Sequence, residues 1–293
     1  MKHSFYSILA VLFFAGCSPD ALFDREEQLL EQVPLEISSI QVEGDVHTRA
    51  GTTPLSGGKL GIFLTAGTGY TPAAYCYVGT GGGWSSSSPL MLGPAPATAC
   101  AWYPYDYYVP QSKSDLANFP VRIQVYTPGT DLVYLSSING INNTNPSLHI
   151  QLAHAHALLN FHISRSAEYV GAGNITGIGL SSSKLLKEAK YNIQTQAYFD
   201  IVLATALSFP VSESVPIGGT ATIGLLMTPY TMPATTLKIN VDGKEMSGNI
   251  PVAPLGLLQI GKCYDINVTL LRDLRLSVTV LPLDGTSGGE ITW

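Results

Sequence analysis

The sequence predicts an all-β protein of two domains, and three observations carry that expectation. Short apolar runs alternating with polar residues recur from Lys59 to Leu283, the period-two signature of half-buried strands. Turn formers separate them, with 29 Gly and 19 Pro spread along the chain, whereas stretches of helical period are scarce. A chain of 293 residues, 45% of them apolar, has material for two ordinary cores. The composition break at Gly171-Ala172-Gly173 sets the expected boundary, giving body domains 50–170 and 171–293 behind a signal segment 1–17 and an acidic leader 18–49.

Charged residues make up only 12% of the chain, about half the usual share. Ser, Thr, Asn, Gln, Tyr and Gly must therefore supply the polar surface. The formal net charge of −6 sits at one end. Asp20, Asp24, Glu26, Glu27, Glu31, Glu36, Glu43 and Asp45 precede Arg49, against Lys2, Arg25 and Arg49 itself. The body beyond is close to neutral. No basic stripe exists, which argues against nucleic acid as a partner.

The N-terminus is the most specific signal. Lys2 is a basic n-region, residues 5–15 are an apolar h-region too short to span a bilayer, and Phe14-Ala15-Gly16-Cys17 closes it. Small residues before a cysteine resemble a bacterial lipoprotein signal, with Cys17 lipidated and first in the mature chain. Multiple acylation anchors stably, at about 0.8 kcal/mol per buried methylene. The protein is thus expected to leave the cytoplasm and to hold membrane lipid through Cys17. Cys76, Cys100 and Cys263 are irregularly spaced; they are expected as small buried hydrophobes, with a Cys76–Cys100 pair as the alternative.

Taken in order, Asp24 and Glu27 form a capping-box-like start to a short acidic helix or tether over 25–32, ended by Pro34. Residues 35–43, LEISSIQVE, are β in character. Leu35 and Ile37 share one face and Ile40 and Val42 the other, unless a one-residue bulge at Ser38-Ser39 brings all four together. An exposed-looking loop follows, with Gly44, Asp45 and Thr48-Arg49-Ala50, then the breaker-rich GTTPLSGG. A strand tied to the body through a cuttable loop reads as a strand meant to be removed, with proteolytic processing between Arg49 and Ala50.

Strands are expected next at 59–65 (KLGIFLT) and 73–79 (AAYCYVG). Gly81-Gly82-Gly83-Trp84 turns into a weak strand, and 98–105 (TACAWYPY) runs into a Tyr-rich loop at 106–108. Strands 121–126 and 131–135 are joined by Thr-Pro-Gly-Thr, a type II turn. Residues 148–164, LHIQLAHAHALLNFHIS, read as one long strand at a sheet centre. Beyond the boundary come 174–181, 191–196, 201–206, 221–227 and 236–241, then Asp242-Gly243 as a hairpin turn into 244–250. Residues 264–271 and 274–283 alternate, the latter with Leu274, Leu276, Val278 and Val280 on one face. Only 181–190 looks helical, for about two turns.

His154 and His156 share one face of a strand, with His162 in the same parity, and the expected role is core or interface rather than metal. Trp84, Trp102, Tyr103, Tyr105, Tyr107 and Tyr108 are expected to pack a sandwich core, with Tyr107 and Tyr108 as the possible ligand-contact residues at the surface. Catalytic motifs are absent: no G-x-S-x-G, no H-E-x-x-H and no Walker-type loop occurs. The chain is therefore not expected to be an enzyme, nor to need a cofactor or a metal.

Cys17 followed in order by KLGIFL, WYPY, DLVY and LAHAHALLNFHI resembles the fimbrillin-like proteins, the type V pilus subunits of Gram-negative anaerobes. GLLMTPY and GKCYDINVTL extend the likeness more loosely. The resemblance implies two transthyretin-like β-sandwich domains in tandem, borne by an outer-membrane lipoprotein precursor destined for a cell-surface fimbrium. It implies an arginine-specific protease cutting after Arg49 and removing the strand of Leu35, Ile37, Ile40 and Val42. It also implies other pilus subunits as partners, with a neighbour's C-terminal strand filling the vacated groove. The donor here is Leu274, Leu276, Val278 and Val280. The chain departs from that pattern in that only DGTSGGEITW follows Leu283. Two other readings stay open: a surface lipoprotein adhesin or glycan-binding tip subunit using the Tyr-rich loops, and a glycan-processing enzyme.

Overall fold

The computed structural model describes residues 31–44, 51–67, 69–109, 117–127, 129–272 and 275–280. Cys17, Arg49, Ala50 and Leu274, with most of the acidic segment 25–32, lie outside them. The described chain is all-β; its one helical turn, Val252–Leu255, is distorted at Ala253.

Eight strands form the first sheet, in the order Thr52–Pro54, Glu36–Glu43, Ser147–His154, Val133–Ile141, Ala97–Tyr103, Gly58–Gly67, Ala74–Thr80 and Gly83–Ser85. Apolar residues on one face, among them Leu60, Ile62, Leu64, Ala99, Ile150 and Leu152, bury a common core. The sheet curls until Glu36–Glu43, near one end, touches Gly83–Ser85 at the other. A short ribbon, Val33–Pro34 against Met91–Leu92, helps to close it.

The second unit is a sandwich. One sheet runs Gln124–Val125, Thr220–Met227, Ala157–Arg165, Cys263–Leu270, Leu276–Val280. The other runs Ala197–Ser214, Asn174–Asn192, Thr235–Val241, Lys244–Ile250, with Asn118–Arg122 also paired to Asn174–Asn192. Their inner faces share a core around Phe161, Ile178, Ile223, Leu237, Ile239 and Ile266.

A third cluster joins the units. Phe63, Cys100, Trp102 and Tyr134, from the outer face of the first sheet, pack against Phe119, Val121, Leu186, Ala189 and Tyr191. The Tyr191 hydroxyl donates to that of Tyr134 at 2.5 Å. Residues 97–103 are apolar on both parities for this reason: Ala97, Ala99 and Ala101 face one core while Cys100 and Trp102 face the other.

Sheet membership corrects the expected boundary near Gly171. Asn118–Arg122, Gln124–Val125 and Ala157–Arg165 all belong to the second unit, so the chain crosses between units more than once. The strand expected over 148–164 is two strands in different sheets, broken at Ala155-His156. The strand expected over 121–126 is likewise split between sheets. The turn after it is as expected, with Gly129 at φ +90° and the Thr130 amide donating to the Thr127 oxygen.

The helix expected over 181–190 is part of the strand Asn174–Asn192. Pairing with Ala197–Ser214 on one side, and with Thr235–Val241 and Asn118–Arg122 on the other, overrides its local propensity. The strand expected over 191–196 ends at Asn192, whose side chain accepts from the Gln194 and Thr195 amides to start a turn. A Cys76–Cys100 disulfide is excluded. The two lie on strands flanking Gly58–Gly67, opposite Gly61 and Phe63, roughly 10 Å apart at two strand spacings. Among the described residues Cys76, Cys100 and Cys263 form no disulfide, and burial pushes the Cys100 thiol up to about 12.

Candidate functional site

Glu36–Glu43 is the strand on which the site is built. It pairs in parallel with Ser147–His154, Ile37 opposite Leu148, then Ser39 opposite His149, Ile40 opposite Ile150 and Val42 opposite Leu152. Ser38 has no counterpart. That residue is the bulge at Ser38-Ser39, and it turns Ile40 onto the face of Leu35 and Ile37. Leu35, Ile37 and Ile40 are buried in the first core, and Val42 packs against it half-buried. The Tyr77 hydroxyl, itself in that core, donates to the Leu35 oxygen and accepts from the Leu90 amide.

On its other side the strand pairs antiparallel with Thr52–Pro54, Val42 opposite Thr53. Thr52–Pro54 ends the sheet order and pairs with no other described strand. The Gly44 amide donates to the Gly51 oxygen at 2.6 Å, so the two ends of the segment carrying Arg49 and Ala50 leave the sheet side by side. Lateral polar bonds are few and exposed: Ser39 Oγ to His149 Nδ1 at 2.8 Å, Gln151 to Glu43 at 3.1 Å, and Ser38 to Ser147. Burial of the four apolar side chains amounts to roughly 6–12 kcal/mol gross, before any ordering cost. The strand is both an integral part of the first core and tied covalently to the body at one end only.

Leu276, Val278 and Val280 share one face, as their alternation predicts, but they face their own sandwich. Leu276–Val280 is an edge strand beside Cys263–Leu270, with Val278 opposite Val268. Leu276 and Val280 are buried in the second core and Val278 packs against it. The fit is close: a Cβ on Gly248 would meet the Leu276 oxygen at 2.7 Å.

Of the two tyrosines expected at the surface, only Tyr107 is exposed, its hydroxyl donating to Gln124 at 2.6 Å. Tyr108 is buried, with its hydroxyl donating to the Thr130 oxygen and its backbone carbonyl accepting from the Trp102 indole. It is core, because the turn after Pro104 folds it back under Trp102 beside Phe119.

The two histidines of the broken strand meet a carboxylate remote in sequence. His154 Nδ1 and His156 Nδ1 lie 2.7 and 3.0 Å from the two oxygens of buried Asp131. The cluster pins together two places where the chain changes sheet, and the Ala155 amide bonds the Leu132 oxygen beside it. Asp131 carries no signal of this in the sequence, because it directly follows the Thr-Pro-Gly-Thr turn and lies 23 residues from His154. His162 stands apart on the outer face of the second unit. It donates to Asp265 at 2.9 Å, and this hydrogen bond holds the Asp265 carboxyl below the usual range. No group of three or more His, Cys, Asp or Glu suited to a metal occurs among the described residues.

Residues 48–284 match the family described as fimbrillin-like. No curated protein matches the chain in sequence. Three solved structures share the fold, each provisionally described as a cell adhesion protein. One from Bacteroides ovatus is 17% identical with a TM-score of 0.64, over 86% of this chain and 97% of its own. One from Bacteroides uniformis is 17% identical with a TM-score of 0.63, over 85% and 97%. One from Bacteroides fragilis is 12% identical with a TM-score of 0.55, over 88% and 99%.

Proposed function

The chain belongs to the fimbrillin-like family, and on that footing we propose that it is a structural subunit of a cell-surface fimbria, assembled by exchange of strands. It is exported as a lipoprotein acylated at Cys17 and carried to the outer membrane. An arginine-specific protease cuts between Arg49 and Ala50, and the strand of Leu35, Ile37, Ile40 and Val42 departs. A neighbouring subunit's C-terminal segment, carrying Leu274, Leu276, Val278 and Val280, then pairs with the uncovered edge of Ser147–His154 and refills the core. Until the cut, the chain's own strand keeps that edge from promiscuous pairing.

The observation that carries this reading is the placement of Glu36–Glu43. It completes the first core, yet it is joined to the body only through the segment between Gly44 and Gly51. The family match supports it further, because it begins at residue 48, after that strand. The donor must first leave its own sandwich, where Leu276–Val280 is docked. Exchange therefore trades one buried edge strand for another, which keeps the subunit soluble until a groove opens.

Digestion of the purified precursor with an arginine-specific protease tests the reading. A single early cut after Arg49 followed by SDS-resistant ladders is the expected result. A cleaved protein that stays monomeric and folded overturns it.

A further inference from the structure

The long hairpin of Asn174–Asn192 and Ala197–Ser214 reaches from the second sandwich to the waist between the units, where Tyr191 and Tyr198 join the third cluster. Ala197–Ser214 is its outer strand, at the end of the sheet order, and pairs with no other described strand. Leu207, Phe209 and Val211 still pack against the second core. Between those anchorages Thr235–Val241 stops opposite Ser182, and Asn118–Arg122 begins only opposite Glu188. Ile201, Val202 and Leu203 are 54%, 41% and 53% exposed there. Successive side chains of a strand point to opposite faces, so this apolar run meets water on both.

Open sheet edges are ordinarily blunted by charge, proline or a bulge. Here those devices stand at the two ends of the strand. Asp200, at φ +51°, lies in a bulge between Phe199 and Val202, and Lys190 holds its carboxylate at 3.0 Å. Pro210, with a second bulge between it and Glu213, closes the other end. Between them every register shift puts its extra residues on Asn174–Asn192, so the outer strand runs from Val202 to Phe209 without interruption. No charged residue occurs from Ile201 to Ser212.

That neutrality selects the occupant. A foreign strand is chosen by charges or pockets beside the edge, and this stretch has no charge to offer. A second copy needs none. Antiparallel pairing about a two-fold axis sets uncharged residues against uncharged residues, opposes no like charges, and brings the apolar side chains of both copies together. We infer that Ala197–Ser214 is a self-association surface, at which two copies join edge to edge over Ile201–Phe209 into one continuous sheet. Glu36–Glu43 and Leu276–Val280 lie in other sheets, so the pairing does not depend on strand exchange, and within a fibre it is lateral. One strand pair of this length buries less than about 1,200 Å² in total, the range of weak, reversible complexes.

Sedimentation of the uncut full-length chain, with amide hydrogen exchange at low and high concentration, tests it. A reversible monomer–dimer equilibrium is expected, with a Kd on the order of 10 µM and complete dissociation in SDS, unlike the ladders of the exchanged polymer. Exchange at Ile201–Phe209 is expected to slow as the dimer forms. Leu203→Lys places a charge on the edge without touching the core and is expected to weaken the dimer at least about tenfold. Ile201→Lys, equally exposed, is expected to do the same, and both variants keep the melting temperature of the monomer. A chain that stays monomeric to about 200 µM overturns the inference and leaves the edge to a strand of different sequence. So does a dimer that survives both lysine variants, or one that forms without slowing exchange at Ile201–Phe209.

Discussion

Tyr77 donates its hydroxyl hydrogen to the backbone oxygen of Leu35, at 3.3 Å, from the middle of the first core. The Tyr77 hydroxyl oxygen in turn accepts from the Leu90 amide, so one side chain ties the entry of the N-terminal strand to the Leu90 segment that closes the sheet. Burial pushes the Tyr77 phenol up to about 12, because the core disfavours a phenolate, and the bond from the Leu90 amide offsets only part of that rise.

The first prediction follows from the sign of that shift. The folded state holds the Tyr77 proton more tightly than the unfolded chain, whose tyrosines titrate near 10. The associated stability is complete below about pH 10 and is lost as the pH rises toward about 12. Tyr77→Phe is expected to lose about 1–3 kcal/mol at neutral pH and to show a shallower loss above pH 10. Urea unfolding of both proteins across that range checks it; parallel alkaline slopes count against the role given to Tyr77.

Ile40, opposite Ile150 and buried, separates precursor from product. Ile40→Ala is expected to cost the uncut chain about 2–5 kcal/mol. After cleavage and assembly the residue is gone, so the same substitution leaves the fibre unchanged. Denaturation of variant and wild type before and after digestion measures both; a fibre destabilised by Ile40→Ala would mean that the strand had stayed.

Much of this was legible in the sequence. Alternation placed most strands, Asp242-Gly243 marked its hairpin, with φ +50° and +75°, and of the two arrangements open for Leu35 to Val42 the structure has the one with a bulge at Ser38. The misses have one cause. Residues 181–190 and 148–164 were assigned from local pattern, whereas their structure is set by partners distant in sequence. The first is held between strands from both sides, and the second is broken where Asp131 gathers His154 and His156. Tyr108 was placed at the surface because composition alone does not reveal that Trp102 needs a cover.

A lock on the edge strand tests where the donor comes from. Asn267 and Thr279 are opposite each other on neighbouring antiparallel strands, a spacing that a disulfide can span. In a Cys263→Ser background, Asn267→Cys with Thr279→Cys is expected to be cleaved normally when oxidised but not to polymerise, and to polymerise once reduced. Gly248→Ala crowds Leu276 from the other side and is expected to speed assembly by loosening the strand. Ladders from the oxidised double variant would exclude this segment as donor.

The cluster at the waist carries a fourth prediction. Asp131→Ala removes the acceptor of two buried imidazoles at once and is expected to destabilise the chain by about 1–3 kcal/mol for each bond lost. Replacing Asp265, whose partner His162 is half-exposed, is expected to change stability far less. Urea midpoints of the two variants decide it, and equal midpoints would deny the waist its structural role.

The most direct measurement is the identity of the first residue of the subunit inside the SDS-resistant fibre, read by N-terminal sequencing or intact mass. Strand exchange predicts Ala50, with Leu35, Ile37, Ile40 and Val42 absent from the polymer. A fibre whose subunits still begin at Cys17, or anywhere ahead of Leu35, would contradict it.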